Sequence, residues 1–479
     1  MTIAPTPDEL ARPSETRAAA LPLEPHDGLA PVAAPAEARD AARLVGDPLA
    51  RTIARIALPA VASTLLMTLF ASVDAYWVGM KIGPVGIAAV ATSVFWIWLI
   101  VSIAEMVSVG LTAVAARRYG EGRRDEAART AGSALIFTLV VGVIVALVGH
   151  ALLPRLFAVM HTPPEVTRLG MQYLGTYLIG TPLIFGFFAV DAAFRASGDA
   201  RTPFTLLAVS VGVTLVLDPV LIMGLGPAPK LGIAGAAIAT VTTRSVAFAL
   251  GLMLVVRGGQ LRIGRFDAGA VKAVCRVGLP TAATGVMFSL IYVFITRSAT
   301  EFGTPALAAL GIGHRIESWL YMVGAGFGAA TAAIVGQNLG AGRPDRAERA
   351  GWMATAFCSS LGLVFFGLQL WIPERFAGVF SHDAAVVAEG AKYLRIAAVS
   401  QLAICAEIVL EGALGGAGHT LAPMLASTTI TASRVPLAAW AAVKWGSAGI
   451  WWVIALTASA RGIAMLALWR AGGWKGKSL

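Results

Sequence analysis

Two carboxyl groups stand deep inside apolar stretches of this chain. Asp74 follows Pro59 by 15 residues, in LFASVDAYWVG, with no basic neighbour within a helical turn. Asp218 sits in LVLDPVL, directly before Pro219. An ionisable group at such depth is costly and marks an ion pathway or proton relay by default. The chemistry it suits is taking up and releasing a proton or a small cation such as Na+. Pro219 removes an amide donor, which leaves a carbonyl oxygen nearby available for the same task. Thr214 lies four residues before Asp218, on the same helix face, and Thr240 is a further oxygen donor in reach of this reading.

Other polar residues fall inside apolar runs. Glu407 is a candidate second cation site, and Arg434 is a candidate partner for Glu407 or Glu411. Asp191 and Glu411 lie one turn before a helix end, which suits gating or helix-end hydrogen bonding. Asp191 and Arg195 are spaced i, i+4 and are expected to pair. Glu105, Glu317 and Arg315 are also within the spans; Arg315 and Glu317 are too close in sequence to share a face. Met287, Phe288, Trp319 and His314 are candidate cavity-lining residues. The aromatic cluster Phe95, Trp96, Trp98, Trp319 and Tyr321 fits interface anchoring better than cation–π contact with a cargo. The histidines have no metal-ligand spacing, and the three cysteines show no CxxC. No HExxH or GxSxG occurs in the spans, so the expectation is a non-enzyme without cofactor.

These residues need an element that holds them in a membrane. The chain has 479 residues, 57% of them hydrophobic and only 13% charged. A soluble protein carries roughly 25% charged residues, so most soluble classes are excluded. Twelve apolar runs follow Arg51: 53–79, 87–115, 127–153, 169–193, 204–223, 232–256, 277–299, 306–335, 350–372, 393–414, 422–443 and 449–469. Their length without period-two alternation predicts helices rather than barrel strands. Residues 1–50, rich in Ala and Pro, read as a disordered cytoplasmic tail. With that tail inside, the inner loops hold 20 Lys and Arg residues and the outer loops 9. Both termini are therefore expected in the cytoplasm. The net charge of +10 then reflects topology, and no nucleic-acid partner is expected.

The chain is duplicated. GEGRRDEAAR at 120–129 matches GAGRPDRAER at 340–349, and RIALP ending at Pro59 matches RVGLP ending at Pro280. Asp191 and Gly198 fall opposite Glu411 and Gly418 at an offset of 220. Six helices per repeat return the chain to its starting side. The two lobes, 51–260 and 261–479, are thus expected to share orientation, related by a pseudo-two-fold axis along the membrane normal. This is an all-α polytopic plan of twelve transmembrane helices, used by transporters with alternating access. GxGRxDxAxR lacks the preceding strand of a phosphate loop; Asp125 and Asp345 are placed to cap the next helix.

The ordered motifs now carry a resemblance. They are VD-x-x-x-VG in the first helix, RASGDARTP at 195–203, LDPVLIMG at 217–224, GIAGAAIAT at 232–240 and VGQNLGAGRPDRA at 335–347. Together with the six-plus-six duplication they resemble the multidrug and toxic compound extrusion (MATE) transporters, over everything but the tail. The resemblance implies a monomeric, multi-pass protein of the bacterial inner membrane. It implies an antiporter that exchanges inward H+ or Na+ for outward cationic or amphipathic drugs, with Asp74 and Asp218 in the cation network. This chain has Thr214 where the family commonly has Asn, which alters that network. It has Phe288 where the NorM-like branch has Glu, which points to a DinF-like reading. The alternative is a lipid-linked precursor flippase of the same superfamily; the acidic character of lobe one argues against that anionic cargo.

Overall fold

The computed structural model describes residues 46–476 apart from 83, 161–162, 227 and 381–382. Some side chains inside helices, Asp74 and Phe95 among them, lie outside the described residues, as does most of the expected N-terminal tail. All regular structure among the described residues is helical. The first half comprises α1 (Leu49–Ile82), α2 (Pro84–Gly120), α3 (Arg124–Val159), α4 (Pro164–Ser197), α5 (Arg201–Met223) and α6 (Ile233–Arg257). The second comprises α7 (Ala268–Thr300), α8 (Thr304–Gly340), α9 (Pro344–Trp371), α10 (Pro373–Gly378), α11 (Ala384–Ala398), α12 (Gln401–Gly416), α13 (Leu421–Ala432) and α14 (Arg434–Ala471). An apolar stretch in lipid must satisfy its own backbone, and a helix does so within one segment.

Nine helical stretches among the described residues are long and apolar enough to cross a membrane, and α11 with α12 forms a tenth bent by 58°. The stretch Leu421–Ala471 holds two of the expected spans. Gly446 divides it with φ 63°, ψ −149°, a backbone that favours glycine. With α7, 33 residues long, all twelve apolar runs have their helices. The break between α11 and α12 has a local cause. The Ser400 hydroxyl donates to the Ala397 carbonyl at 2.8 Å and the Gln401 amide donates to the same oxygen at 3.2 Å. Side chains that compete for a backbone carbonyl bend a helix.

Each half contributes a core, and a further cluster joins Ile53 and Ile56 of the first half to Phe327 and Ile334 of the second. Leu111, Leu135, Val190, Phe194 and Val255 are buried together in the first. Ile295, Ile316, Tyr393, Trp451 and Ile454 are buried together in the second. The halves meet at the arginine-rich end of the bundle. A Cβ on Gly120 would lie 1.9 Å from the Gln337 carbonyl oxygen, and one on Gly340 would lie 1.9 Å from that of Arg117. Both pairs are related by the same offset of 220, so the pseudo-two-fold axis passes between these contacts. Polar bonds also cross between the halves. The Thr64 hydroxyl donates to the Met322 carbonyl at 2.8 Å, and the Gln337 amide donates to the Ala196 carbonyl at 2.6 Å.

The GxGRxDxAxR loops differ from expectation in detail. Arg123 and Arg343 occupy the N-cap positions, and neither cap is bonded by a side chain. Asp125 and Asp345 lie in the first turn instead, where their charge suits the helix N-terminus. Asp125 pairs with Arg262 at 2.8 Å.

Candidate functional site

Asp218 is fully buried in α5, and the helix runs through Pro219 without ending. One turn earlier, Thr214 stands 2.7 Å from Thr243 of α6, hydroxyl to hydroxyl, and it also lies 2.8 Å from the Ser210 carbonyl. The Thr240 hydroxyl is buried with no hydrogen-bond partner among the described residues. The first half therefore gathers one carboxyl and three hydroxyls between α5 and α6. Oxygen groups of this kind suit a proton or a hard cation. Thr243 was absent from the residues expected from sequence, although it lies three positions after Thr240 and hence on its face.

A second polar group lies nearer the arginine-rich end of the same half. Asp191 pairs with Arg195 at 2.8 Å, as the spacing predicted, and Arg195 donates to the Ser108 hydroxyl of α2 at 2.8 Å. Arg244 of α6 is buried with its guanidinium 5.9 Å from the Phe187 ring centre. Asp191 and Tyr177 both act on it electrostatically. Arg244 corrects the reading of lobe one as almost wholly acidic. It sits inside the sixth apolar run, and an arginine in such a run is itself a signal.

In the second half, α12 carries Glu407 and Glu411 one turn apart. Glu407 makes an ion pair with Arg461 of α14 at 3.0 Å, and both side chains are nearly buried. Arg461 is a partner of Glu407 that the sequence reading did not single out. Arg434 is only 2% exposed and donates through Nε to the Thr457 hydroxyl at 2.7 Å. It acts on Glu407 electrostatically, while Arg461 makes the direct contact. Arg461 is placed there by a close helix approach. A Cβ on its neighbour Gly462 would lie 2.3 Å from the Ala403 carbonyl oxygen of α12. Arg461 also lies 5.8 Å from the Phe288 ring centre, with Met287 half-buried beside that residue. Arg461, like Arg244, stands inside an apolar run, which is the signal that marks it.

Glu317 of α8 accepts a hydrogen bond from the Tyr393 hydroxyl at 3.1 Å, while Arg315 is exposed on another face. His314 is mostly enclosed, within electrostatic reach of Arg434. Glu105 of α2 and Tyr321 of α8 are both exposed in mid-helix, Tyr321 by 50%. Glu105, Glu407 and Glu411 all act on Tyr321. Acids of both halves thus converge on Tyr321. Trp319 and Trp98 are exposed, at 46% and 54%, and Trp96 donates to the Met160 sulfur at 3.2 Å. Among the described residues no His, Cys, Asp or Glu group is arranged to hold a metal ion.

The profile of the MatE family matches residues 59–220 and 280–440, one copy in each half. A multidrug resistance protein NorM of Burkholderia vietnamiensis is 30% identical over 439 residues, covering 87% of this chain and 92% of that protein. An FAD transporter of Shewanella oneidensis is 28% identical over 359 residues, covering 73% of this chain and 78% of that protein. Relatives named NorM match most of the chain, so Phe288 alone does not set it apart from them. A solved outward-facing structure of a multidrug resistance MATE family transporter superposes with a TM-score of 0.85, at 23% identity over 92% of this chain and 99% of that one.

Proposed function

Because this chain belongs to the MatE family of multidrug and toxic compound extrusion transporters, we propose that it exports cationic and amphipathic compounds in exchange for H+ or Na+. It is a transporter and not an enzyme. The two lobes, 51–260 and 261–479, move against each other to give alternating access. The protein acts as a monomer in the bacterial inner membrane with both termini in the cytoplasm.

The observation that carries this reading is the burial of Asp218 beside Thr214, Thr240 and Thr243. A charged carboxyl group at such depth is costly, and uptake of a proton or cation lowers that cost. With Asp74 it forms the coupling pair, as the DinF-like reading has it. Cation and cargo each favour a different state, so loading one lowers affinity for the other. Glu105, Glu411 and Tyr321 receive the cargo in the cleft.

Asp74→Asn and Asp218→Asn are each expected to abolish drug resistance in a pump-deficient bacterium at unchanged membrane abundance. Normal resistance in either variant contradicts its assignment. Efflux from proteoliposomes under a pure pH gradient, then a pure Na+ gradient, identifies the ion; H+ is the expected driver.

A second reading is an anionic cargo, a nucleotide or a lipid-linked precursor. Buried Arg244 and the relative named FAD transporter favour it. Export of FAD without export of a lipophilic cationic dye would select that reading.

A further inference from the structure

The segment that joins the two halves, residues 258–267 between α6 and α7, is strapped to a membrane helix. The Arg262 amide donates to the Ala128 carbonyl of α3 at 3.0 Å, and the Asp267 amide donates to the Ser133 hydroxyl of the same helix at 3.1 Å. A Cβ on Gly132 would lie 2.0 Å from the Arg262 carbonyl oxygen, so only a glycine lets the linker lie this close. Leu261 is fully buried in the core of the first half. Between these pins, Ile263 and Phe266 remain 65% and 51% exposed. The chain behaves differently after the last helix of the second half. There Trp474 folds inward and is fully buried, with its indole donating to the Trp469 carbonyl at 2.9 Å.

The pins also set the depth of the linker. Arg129 is the last charged residue of α3 before Arg155, and the pins at Ala128 and Ser133 lie on either side of it. At 1.5 Å per residue they stand about 6 and 14 Å along α3 from its first residue. The uncharged run that begins at Thr130 marks where headgroups give way to acyl chains. The linker therefore lies along that boundary, and its exposed apolar side chains have acyl chains in reach.

The charge around it has one sign. Residues 257–276 carry five Lys and Arg residues against one acid. Arg257, Arg265, Lys272 and Arg276 are exposed, and among the described residues none of them pairs with a carboxylate. The neighbouring acids are engaged elsewhere: Asp125 pairs with Arg262 at 2.8 Å, and the Asp267 carboxylate accepts from the Ala270 amide at 3.0 Å. Apolar side chains beside basic ones suit a surface of acyl chains and anionic headgroups. We propose that the linker between the halves is a docking site for an anionic phospholipid, with Ile263 and Phe266 entering the acyl layer and Arg265 and Lys272 holding the headgroup. The proposal is independent of the cargo and of the coupling ion.

Quenching by labelled lipids tests it. The full-length protein carries Cys275→Ser and Ile263→Cys, with an environment-sensitive fluorophore on the new thiol; Cys358 and Cys405 are buried and stay. It is placed in phosphatidylcholine nanodiscs that contain a nitroxide-labelled phosphatidylglycerol or, at equal mole fraction, a nitroxide-labelled phosphatidylcholine. The phosphatidylglycerol probe is expected to reach half-quenching at an about fivefold lower mole fraction, the preference that one basic residue confers near such a surface. Arg265→Gln with Lys272→Gln is expected to bring that ratio to about one, and Arg265→Lys alone to keep most of it. Aqueous iodide is expected to quench the fluorophore weakly. Equal quenching by the two lipids overturns the proposal, as does an unchanged ratio in the double variant. Strong quenching by iodide with none by either lipid overturns it too, because the linker then faces water.

Discussion

The two halves share a backbone plan and differ in where they keep charge. At the offset of 220, Thr214, Asp218 and Phe187 of the first half stand opposite Arg434, Ala438 and Glu407 of the second. Glu317 stands opposite Ile97. Within the spans, Asp191 and Glu411 coincide as acids, and each is served by an arginine from the last helix of its own half. The helices diverge at the same place. α4 runs unbroken for 34 residues, whereas its counterpart bends by 58° between α11 and α12, where Gln401 reaches Glu317. Duplication supplied a symmetric frame, and substitution made one half hydroxyl-rich around a buried acid and the other a network of ion pairs. On the proposed function this difference divides the labour, with the coupling ion assigned to the first half and the cargo to the second.

Breaking the ion pair of the second half carries the largest stability effect. Arg461→Met leaves Glu407 charged and nearly buried, with an expected loss of about 3–5 kcal/mol. Removing both charges, Glu407→Leu with Arg461→Met, is expected to recover most of it, because a well-packed apolar pair is often neutral. Thermal unfolding in detergent reads the cycle, and additive losses would show that the pair does not act as a unit.

The symmetry itself is testable at the arginine-rich end. Gly120→Ala and Gly340→Ala each place a methyl against a backbone carbonyl at 1.9 Å. Each is expected to cost about 1–3 kcal/mol through overpacking, by the same amount in both halves. Unequal shifts in melting temperature would show that the halves do not share this contact equally. The smallest effect belongs to Asp125→Ala. Its pair with Arg262 is exposed on both sides, so the expected change is below about 1 kcal/mol and shrinks further in salt. A larger loss in the same melting assay would show that this loop holds the fold more tightly than an exposed pair does.

Much of this frame is legible in the chain. The twelve spans follow from the apolar runs, because lipid leaves a long apolar segment no alternative to a helix. The duplicated GxGRxDxAxR motif gives the halves, and the Asp191 and Arg195 spacing gives their pair. The break at Ser400 is not legible in the same way. IAAVSQLAIC contains neither Pro nor Gly, and the bend comes from two side chains competing for the Ala397 carbonyl. Glu407 was legible as a buried acid, but its partner was not. Arg461 and Arg434 are both intramembrane arginines, and only the packing at Gly462 decides which of them reaches it. Thr243 escaped because threonines are common on helix faces, and only its approach to Thr214 marks it.

On the proposed function the buried acids of the first half take the coupling ion. Proteoliposomes carrying Asp218→Asn or Glu407→Gln test it by comparing gradient-driven efflux with gradient-free drug exchange. Asp218→Asn is expected to lose driven efflux and keep exchange, while Glu407→Gln is expected to weaken drug affinity and stay responsive to the gradient. Driven efflux at the wild-type rate in Asp218→Asn would contradict it.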